Sequence, residues 1–223
     1  MVMRTALLLT GSPRGASASR LVGEALMARL GDRGWLWREL ALTGIMESQE
    51  GRARLSGEFL GADLTVLASP VYVDSPPAQV MRALEFLAEE PGQGPRGRRF
   101  AAVFACGFPE SSHTEVCLES CRLFAREAGV EWAGGLGIGG AGALGTGPLE
   151  SRGRMAKKLL EALDLAAEAL HLGQAVPDKA VRLAGEPLVP RWLYLLLAEA
   201  GWLARAWKRR TLFKLNARPF RKS

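Results

Sequence analysis

Residues 4–30 read RTALLLTGSPRGASASRLVGEALMARL: an apolar run, a glycine- and serine-rich turn, then apolar residues at near-helical spacing. The run Arg4–Thr10 is too short for a helix and suits a strand. Ser17 or Ser19 can cap the helix that follows, which would bury Leu21, Val22, Ala25, Leu26 and Leu30 on one face. Strand, loop and helix in that order open an α/β unit.

The same alternation continues outward from it. Trp35–Leu40 is a candidate second strand. Ala62–Ala68 is a third that meets Ser69-Pro70 and hands over to a helix over about Ala78–Leu87, and Phe100–Cys106 is a fourth. The fragment Ser112-His113-Thr114-Glu115 has capping-box spacing and predicts a helix to about Ala128, ahead of a fifth strand at Glu131–Gly137. Pro148 opens a long helix with Met155, Leu159, Leu163, Ala166 and Leu170 on one face. Such a pattern predicts a five-stranded parallel sheet between two helical layers over residues 1–175, with ligands bound beyond the carboxyl ends of the strands. Pro91–Gly97 reads as a surface turn, residues 176–189 as a linker, and residues 190–223 as a basic helical C-terminal extension.

Composition narrows the class. With 223 residues, 48% hydrophobic and 23% charged, the chain can bury a sizeable core and is neither disordered nor collagenous. No apolar run exceeds Trp192–Ala198 in length, too short to span a bilayer. Three cysteines are a poor disulfide framework and suit a reducing compartment. The apolar Ala6–Leu9 imitates a secretory signal but stops at Gly11, so export is not expected and a cytoplasmic setting is. The net charge of +6 is concentrated at one end: residues 190–223 hold nine Lys or Arg and the single acid Glu199, whereas residues 1–189 hold 20 basic and 22 acidic side chains. Without a basic field on the body, no nucleic-acid partner is expected.

Two loops carry recognisable chemistry. Gly11-Ser12-Pro13-Arg14-Gly15-Ala16-Ser17-Ala18-Ser19 lies at a helix N-terminus, where unpaired amides and the helix dipole favour an anion. Arg14 and the hydroxyls of Ser12, Ser17 and Ser19 suit a phosphomonoester, while the lysine of a triphosphate P-loop is missing. A polar turn with an N-cap would use the same residue types. Ser69-Pro70-Val71-Tyr72-Val73-Asp74-Ser75-Pro76-Pro77 is rigid and poor in charge, and Tyr72 and the proline and valine side chains can wall a flat aromatic ring.

Other constellations are weaker. Cys106, Cys117 and Cys121 with His113 invite a metal, but His113, Cys117 and Cys121 at i, i+4 and i+8 would spread over about 12 Å of one helix, so none is expected. His171, near a helix C-terminus, reads as a solvated imidazole. Gly137-Ile138-Gly139-Gly140-Ala141-Gly142 matches G-x-G-x-x-G, yet only one long helix and the tail follow it, so it reads as a loop rimming a pocket rather than a dinucleotide fingerprint. Hydrolase chemistry is not expected, since there is no G-x-S-x-G and no histidine evidently paired with an acid.

Taken together the two loops resemble those of the NADPH-dependent FMN reductase family of flavodoxin-like proteins, which pair G-S-x-R-x-x-S-x-S/N with S-P-x-Y. The resemblance implies a flavodoxin-like three-layer sandwich and an oxidoreductase with FMN as cofactor and NADPH or NADH as donor. It implies an electron acceptor that is a small molecule, such as a quinone, azo compound, metal ion or second flavin. Ser12, Arg14, Ser17, Ala18 and Ser19 then hold phosphate, while Ser69, Pro70, Val71, Tyr72, Val73, Cys106 and Gly107 shape the ring site, and Asp74 and His113 line the substrate side. Asp74 and Met81 depart from the family, which often has glycine and lysine at these points. Thr43–Ser48 lacks the cysteines of the related iron–sulfur flavoproteins, so no cluster is expected. A homodimer is expected by the same resemblance. An electron-transfer or sensing module without a nicotinamide site, or a docking protein that has lost FMN, is the alternative.

Pro190 to about Arg210 reads as an amphipathic helix with Trp192, Leu193, Leu196, Leu197, Leu203 and Trp207 on one face. Tyr194, Leu195 and Trp202 lie off that face and imply a second contact. An arm across a partner subunit is the first expectation, and peripheral membrane contact the second.

Overall fold

The computed structural model describes residues 3–89, 97–145, 147–215 and 217. The strands are β1 (Thr5–Thr10), β2 (Leu36–Ala41), β3 (Leu64–Pro70), β4 (Arg99–Ala105) and β5 (Glu131–Ile138). All pair in parallel in the order β2-β1-β3-β4-β5. The helices are α1 (Ala18–Gly31), α2 (Gln49–Gly61), α3 (Ala78–Glu89), α4 (Glu115–Glu127), α5 (Lys157–His171), α6 (Asp178–Gly185) and α7 (Arg191–Lys208). Contacts divide the chain into two compact units, residues 1–188 and 189–223.

Side chains of a strand alternate between faces, and here each face meets its own core. Leu8, Val66, Ala68 and Val103 pack with α1, α5 and α6 on one side. Leu7, Leu9, Leu67, Phe100 and Phe104 pack with α2, α3 and α4 on the other. The central strands, buried on both faces, are therefore almost continuously apolar.

Several expectations are corrected. Residues 176–189 are not a bare linker: α6 buries Ala180 and Ala184 against α5 and β5, small side chains permitting the close approach. The long helix from Pro148 is a 3₁₀ segment, Leu149–Met155, followed by α5, because Gly153 adopts φ 54 and ψ −127, where no right-handed helix continues. Ser112 does not cap α4. It lies inside a 3₁₀ turn, Ser111–Thr114, and α4 starts at Glu115 without a side-chain cap. A helix not expected from the sequence, α2, buries only Leu55, Ser56 and Phe59. His171 is half-buried, not solvated, and its Nδ1 accepts from Trp35 Nε1 at 3.2 Å. The expected turn at Pro91–Gly97 lies, but for Gly97, outside the described residues.

Candidate functional site

The strand order reverses direction between β1 and β3, and the loops leaving these two strands diverge to open a crevice at the carboxyl edge of the sheet. The first loop is pinned at its base. Gly11 N–H donates to Ala68 O (2.9 Å), Gln79 Nε2 donates to Gly11 O (3.0 Å), and Thr43 Oγ1 donates to Ser12 O (3.3 Å). A Cβ on Gly11 would lie 2.7 Å from Ser69 Oγ, so a side chain there would lift the loop off β3. Ser12 Oγ accepts from Arg14 N (3.2 Å), a local turn that sends the Arg14 side chain outward. Ser17 is the N-cap of α1, its Oγ accepting from Arg20 N (3.2 Å) and lying 3.2 Å from Ser19 Oγ. Arg20 in turn donates to Gly15 O (2.8 Å) and pairs with Glu24 and Glu39, both at 2.9 Å, which holds the far side of the loop.

This loop forms one wall of a cleft of about 390 Å³, within the range of small-ligand sites. Ser12, Arg14, Ser17, Ala18 and Ser19 all line it. The first-turn amides of Ala18 and Ser19 have no intrahelical acceptor, and the Arg14 guanidinium makes no hydrogen bond or ion pair among the described residues. Among the described residues no carboxylate lines the cleft. Its electrostatic character at this end is thus donors plus one cation, an arrangement that takes an anion.

Pro70, Val71 and Tyr72 form the second wall, followed by Ala105, Cys106 and Gly107 beyond β4. Cys106 is already engaged in holding its own loop: its N–H donates to Ile138 O (2.9 Å), its C=O accepts from Ala141 N (3.0 Å), and its thiol donates to Phe108 O (3.4 Å) and Glu110 O (3.3 Å). The rim is completed by Ala141, Gly142 and Gly145, in the segment whose glycine pattern imitates a dinucleotide fingerprint. The reading of this segment as a loop rimming a pocket agrees with its place in the lining, although Ala141, Gly142, Gly145, Ala16 and Ala105 were not individually named as site residues. They have no polar group to betray them, and only the adjacency of β4 and β5 brings them to the crevice.

Four expected site residues do not line the cleft. Ser69 is fully buried beneath Gly11, and its hydroxyl donates to Pro70 O at 3.0 Å. Val73 and Asp74 form the tip of a two-residue hairpin closed by Tyr72 N→Ser75 O (2.9 Å) and Ser75 N→Tyr72 O (3.2 Å). Both sit at positive φ, 53° and 56°, as a type I′ turn demands, and Val73 is 97% exposed. The Asp74 carboxylate accepts from His113 Nδ1 at 2.7 Å, and the His113 ring packs on Phe108 with centroids 4.6 Å apart. A histidine–acid pair therefore exists, contrary to the sequence expectation; its members are 39 residues apart. No nucleophilic side chain is hydrogen-bonded to His113 among the described residues, so the pair clasps two loops rather than assembling a hydrolase triad.

The remaining cysteines belong to the core. Burial pushes the Cys117 thiol up to about 12, with the Asp74 charge adding to it, and burial raises Cys121 as well. No group of three metal-ligating side chains occurs among the described residues.

Comparison of the sequence with protein-family profiles and with curated proteins finds no match. Solved structures are similar in architecture. The apo form of an NADH:FMN oxidoreductase aligns at a TM-score of 0.61 and 16% identity, over 85% of this chain and 97% of that one. An FMN-dependent NADH-azoreductase from Bacillus anthracis, solved with FMN, gives 0.57 and 13%, over 76% and 100%. A flavodoxin from Streptococcus pneumonia TIGR4 gives 0.52 and 18%, over 75% and 98%. At such identities the likeness is one of fold, and it agrees with the strand order. Residues 1–188 have the flavodoxin-like α/β fold, and a helical extension follows them.

Proposed function

We propose that the cleft binds FMN and that the protein is a NAD(P)H-dependent oxidoreductase of the FMN reductase type, reducing a small-molecule acceptor such as a quinone, azo compound, metal ion or second flavin. The observation that carries this reading is the two-part lining of the cleft. An all-donor end with an unpaired guanidinium and no carboxylate adjoins an apolar wall of Pro70, Val71 and Tyr72 at the β1/β3 switch point. A phosphate ester attached to a flat ring matches both halves. The structures of similar fold that include an NADH:FMN oxidoreductase and an FMN-dependent azoreductase support the same direction.

In this reading Arg14, the hydroxyls of Ser12 and Ser17 and the amides of Ala18 and Ser19 hold the phosphate. Pro70, Val71 and Tyr72 cover the ring, and the rim at Ala141, Gly142 and Gly145 narrows the approach of water. Bound FMN would supply two-electron acceptance from reduced nicotinamide; the protein supplies binding and orientation. We place the protein in the cytoplasm, in keeping with three buried free thiols, and read it as a homodimer from its family resemblance.

The test is the visible spectrum of the purified protein followed by anaerobic NADPH. A flavin spectrum that bleaches is expected. A yellow protein that does not respond to NADPH or NADH would replace the reductase by an electron-transfer module. No bound flavin after FMN addition would overturn the cofactor assignment itself.

A further inference from the structure

Residues 189–223 form their own compact unit, built on α7. On a helical wheel Trp192, Leu193, Leu196, Leu203 and Trp207 share one arc, and Arg191, Arg205 and Lys208 occupy the opposite one. Ala206 is the one buried residue of this helix; Trp202 is 73% and Trp207 72% exposed. The helix ends in a Schellman turn, with Arg210 N–H donating to Trp207 O (2.9 Å) and Thr211 N–H to Ala206 O (2.8 Å). The left-handed position of that turn, φ 56, is held by Arg210 where glycine is usual. The turn folds the chain back, so that Trp207, Lys208, Arg210, Leu212 and Phe213 surround a hollow of about 550 Å³, with Phe213 98% exposed. Indole and phenyl rings and cations thus share one surface.

We propose that this unit is an interfacial anchor for an anionic lipid surface. The helix lies in the headgroup plane, with Trp192, Leu196, Leu203 and Trp207 toward the acyl chains and Lys208, Arg209, Arg210 and Lys214 toward lipid phosphates. Charge complementarity selects this occupant over a second copy of the chain. A two-fold contact between such extensions would bring together two segments that each hold nine Lys or Arg and a single acid, so neither supplies the opposite charge. The body of a second copy, with 20 basic and 22 acidic residues over positions 1–189, carries almost no net charge to attract them. Trp202 and Leu195 sit beside Arg191 on the wheel, off the apolar arc, where a protein contact on that arc leaves them in water. A headgroup layer accepts rings and cations at the same depth. The helix rests on the surface and does not cross it, since no described helix is long and apolar enough to span a bilayer.

Full-length protein should cosediment with vesicles of phosphatidylcholine and phosphatidylserine and not with phosphatidylcholine alone, and high salt should release it. Replacing Arg209→Gln, Arg210→Gln and Lys214→Gln together should weaken binding roughly a hundredfold, on the scale of three cations at a charged surface. The pair Trp207→Ala and Phe213→Ala should weaken it even on strongly anionic vesicles. Circular dichroism and light scattering should show both variants folded and unchanged in assembly. Equal binding to neutral vesicles, no binding to either kind, or variants that bind as the parent does would each overturn the proposal. Altered assembly in either variant would assign the surface to a second copy instead.

Discussion

Arg14→Ala separates affinity from stability more cleanly than any other change in the cleft. The guanidinium is exposed and makes no hydrogen bond or ion pair among the described residues, so its removal breaks nothing in the folded protein and stability should stay within about 0.5 kcal/mol. In the proposed complex with FMN the same group donates to the phosphate, and a charge-assisted hydrogen bond contributes about 1.5–3 kcal/mol. FMN should therefore bind roughly ten- to a hundredfold more weakly. Ser17→Ala is the contrasting control. Its Oγ caps α1 through Arg20 N (3.2 Å), so this variant should lose about 1 kcal/mol of stability together with FMN affinity. Fluorescence titrations with FMN and with riboflavin, which has no phosphate, read the difference. Arg14→Ala should leave riboflavin affinity unchanged. An unaltered FMN titration, or an equal loss for both ligands, would refute the placement of Arg14 at the phosphate.

Val73→Gly should raise the melting temperature by roughly 2–4 °C: a β-branched residue at φ 53 is strained by about 1–2 kcal/mol, part of which glycine returns as unfolded-state entropy. A lower melting temperature by calorimetry would mean that Val73 is not strained. Arg99→Met should cost about 2–4 kcal/mol in urea unfolding, because Arg99 is nearly buried and donates to Leu170 O (3.2 Å) and Gln174 O (2.6 Å) at the end of α5 as well as to Glu131. A loss below about 0.5 kcal/mol would show those carbonyls satisfied by water. The cysteines should resist a thiol reagent in the native protein at pH 8 and react fully when unfolded. With Cys117 pushed up to about 12 by burial, unfolded thiols ionise first, so stability should fall as pH rises from about 8.5 toward 12. A flat stability profile over that window would contradict the buried thiol.

The order of strands and helices was readable in residues 4–171 because strands buried on both faces must be continuously apolar, and this one-dimensional signal survives without neighbours. What escaped were elements whose burial is slight or made of small groups. α2 offers Leu55 and Phe59 alone among apolar buried side chains, and α6 packs through alanines. The break at Gly153 was hidden because the apolar i, i+4 pattern begins only at Met155, beyond it, and carries no information on the backbone back to Pro148.

For the site, the candidate phosphate loop was legible because much of its chemistry is local: Ser12, Arg14 and Ser17 act through a turn and a cap spanning two or three residues. The direction of side chains after β3 was not. Ser69 and Tyr72 belong to one motif in the sequence, yet the hydroxyl turns into the core under Gly11 while Tyr72 faces the cleft. Nor could spacing reveal that Asp74 meets His113, since that pair exists only because β3 and β4 are neighbours in the sheet. Periodicity and local hydrogen bonding are properties of a few consecutive residues, and so the sequence alone determined the fold class and the candidate anion-binding loop. Which side chains converge on the ring wall, and which are drawn away to clasp a neighbouring loop, depends on contacts between distant segments, and those were decided when the sheet assembled.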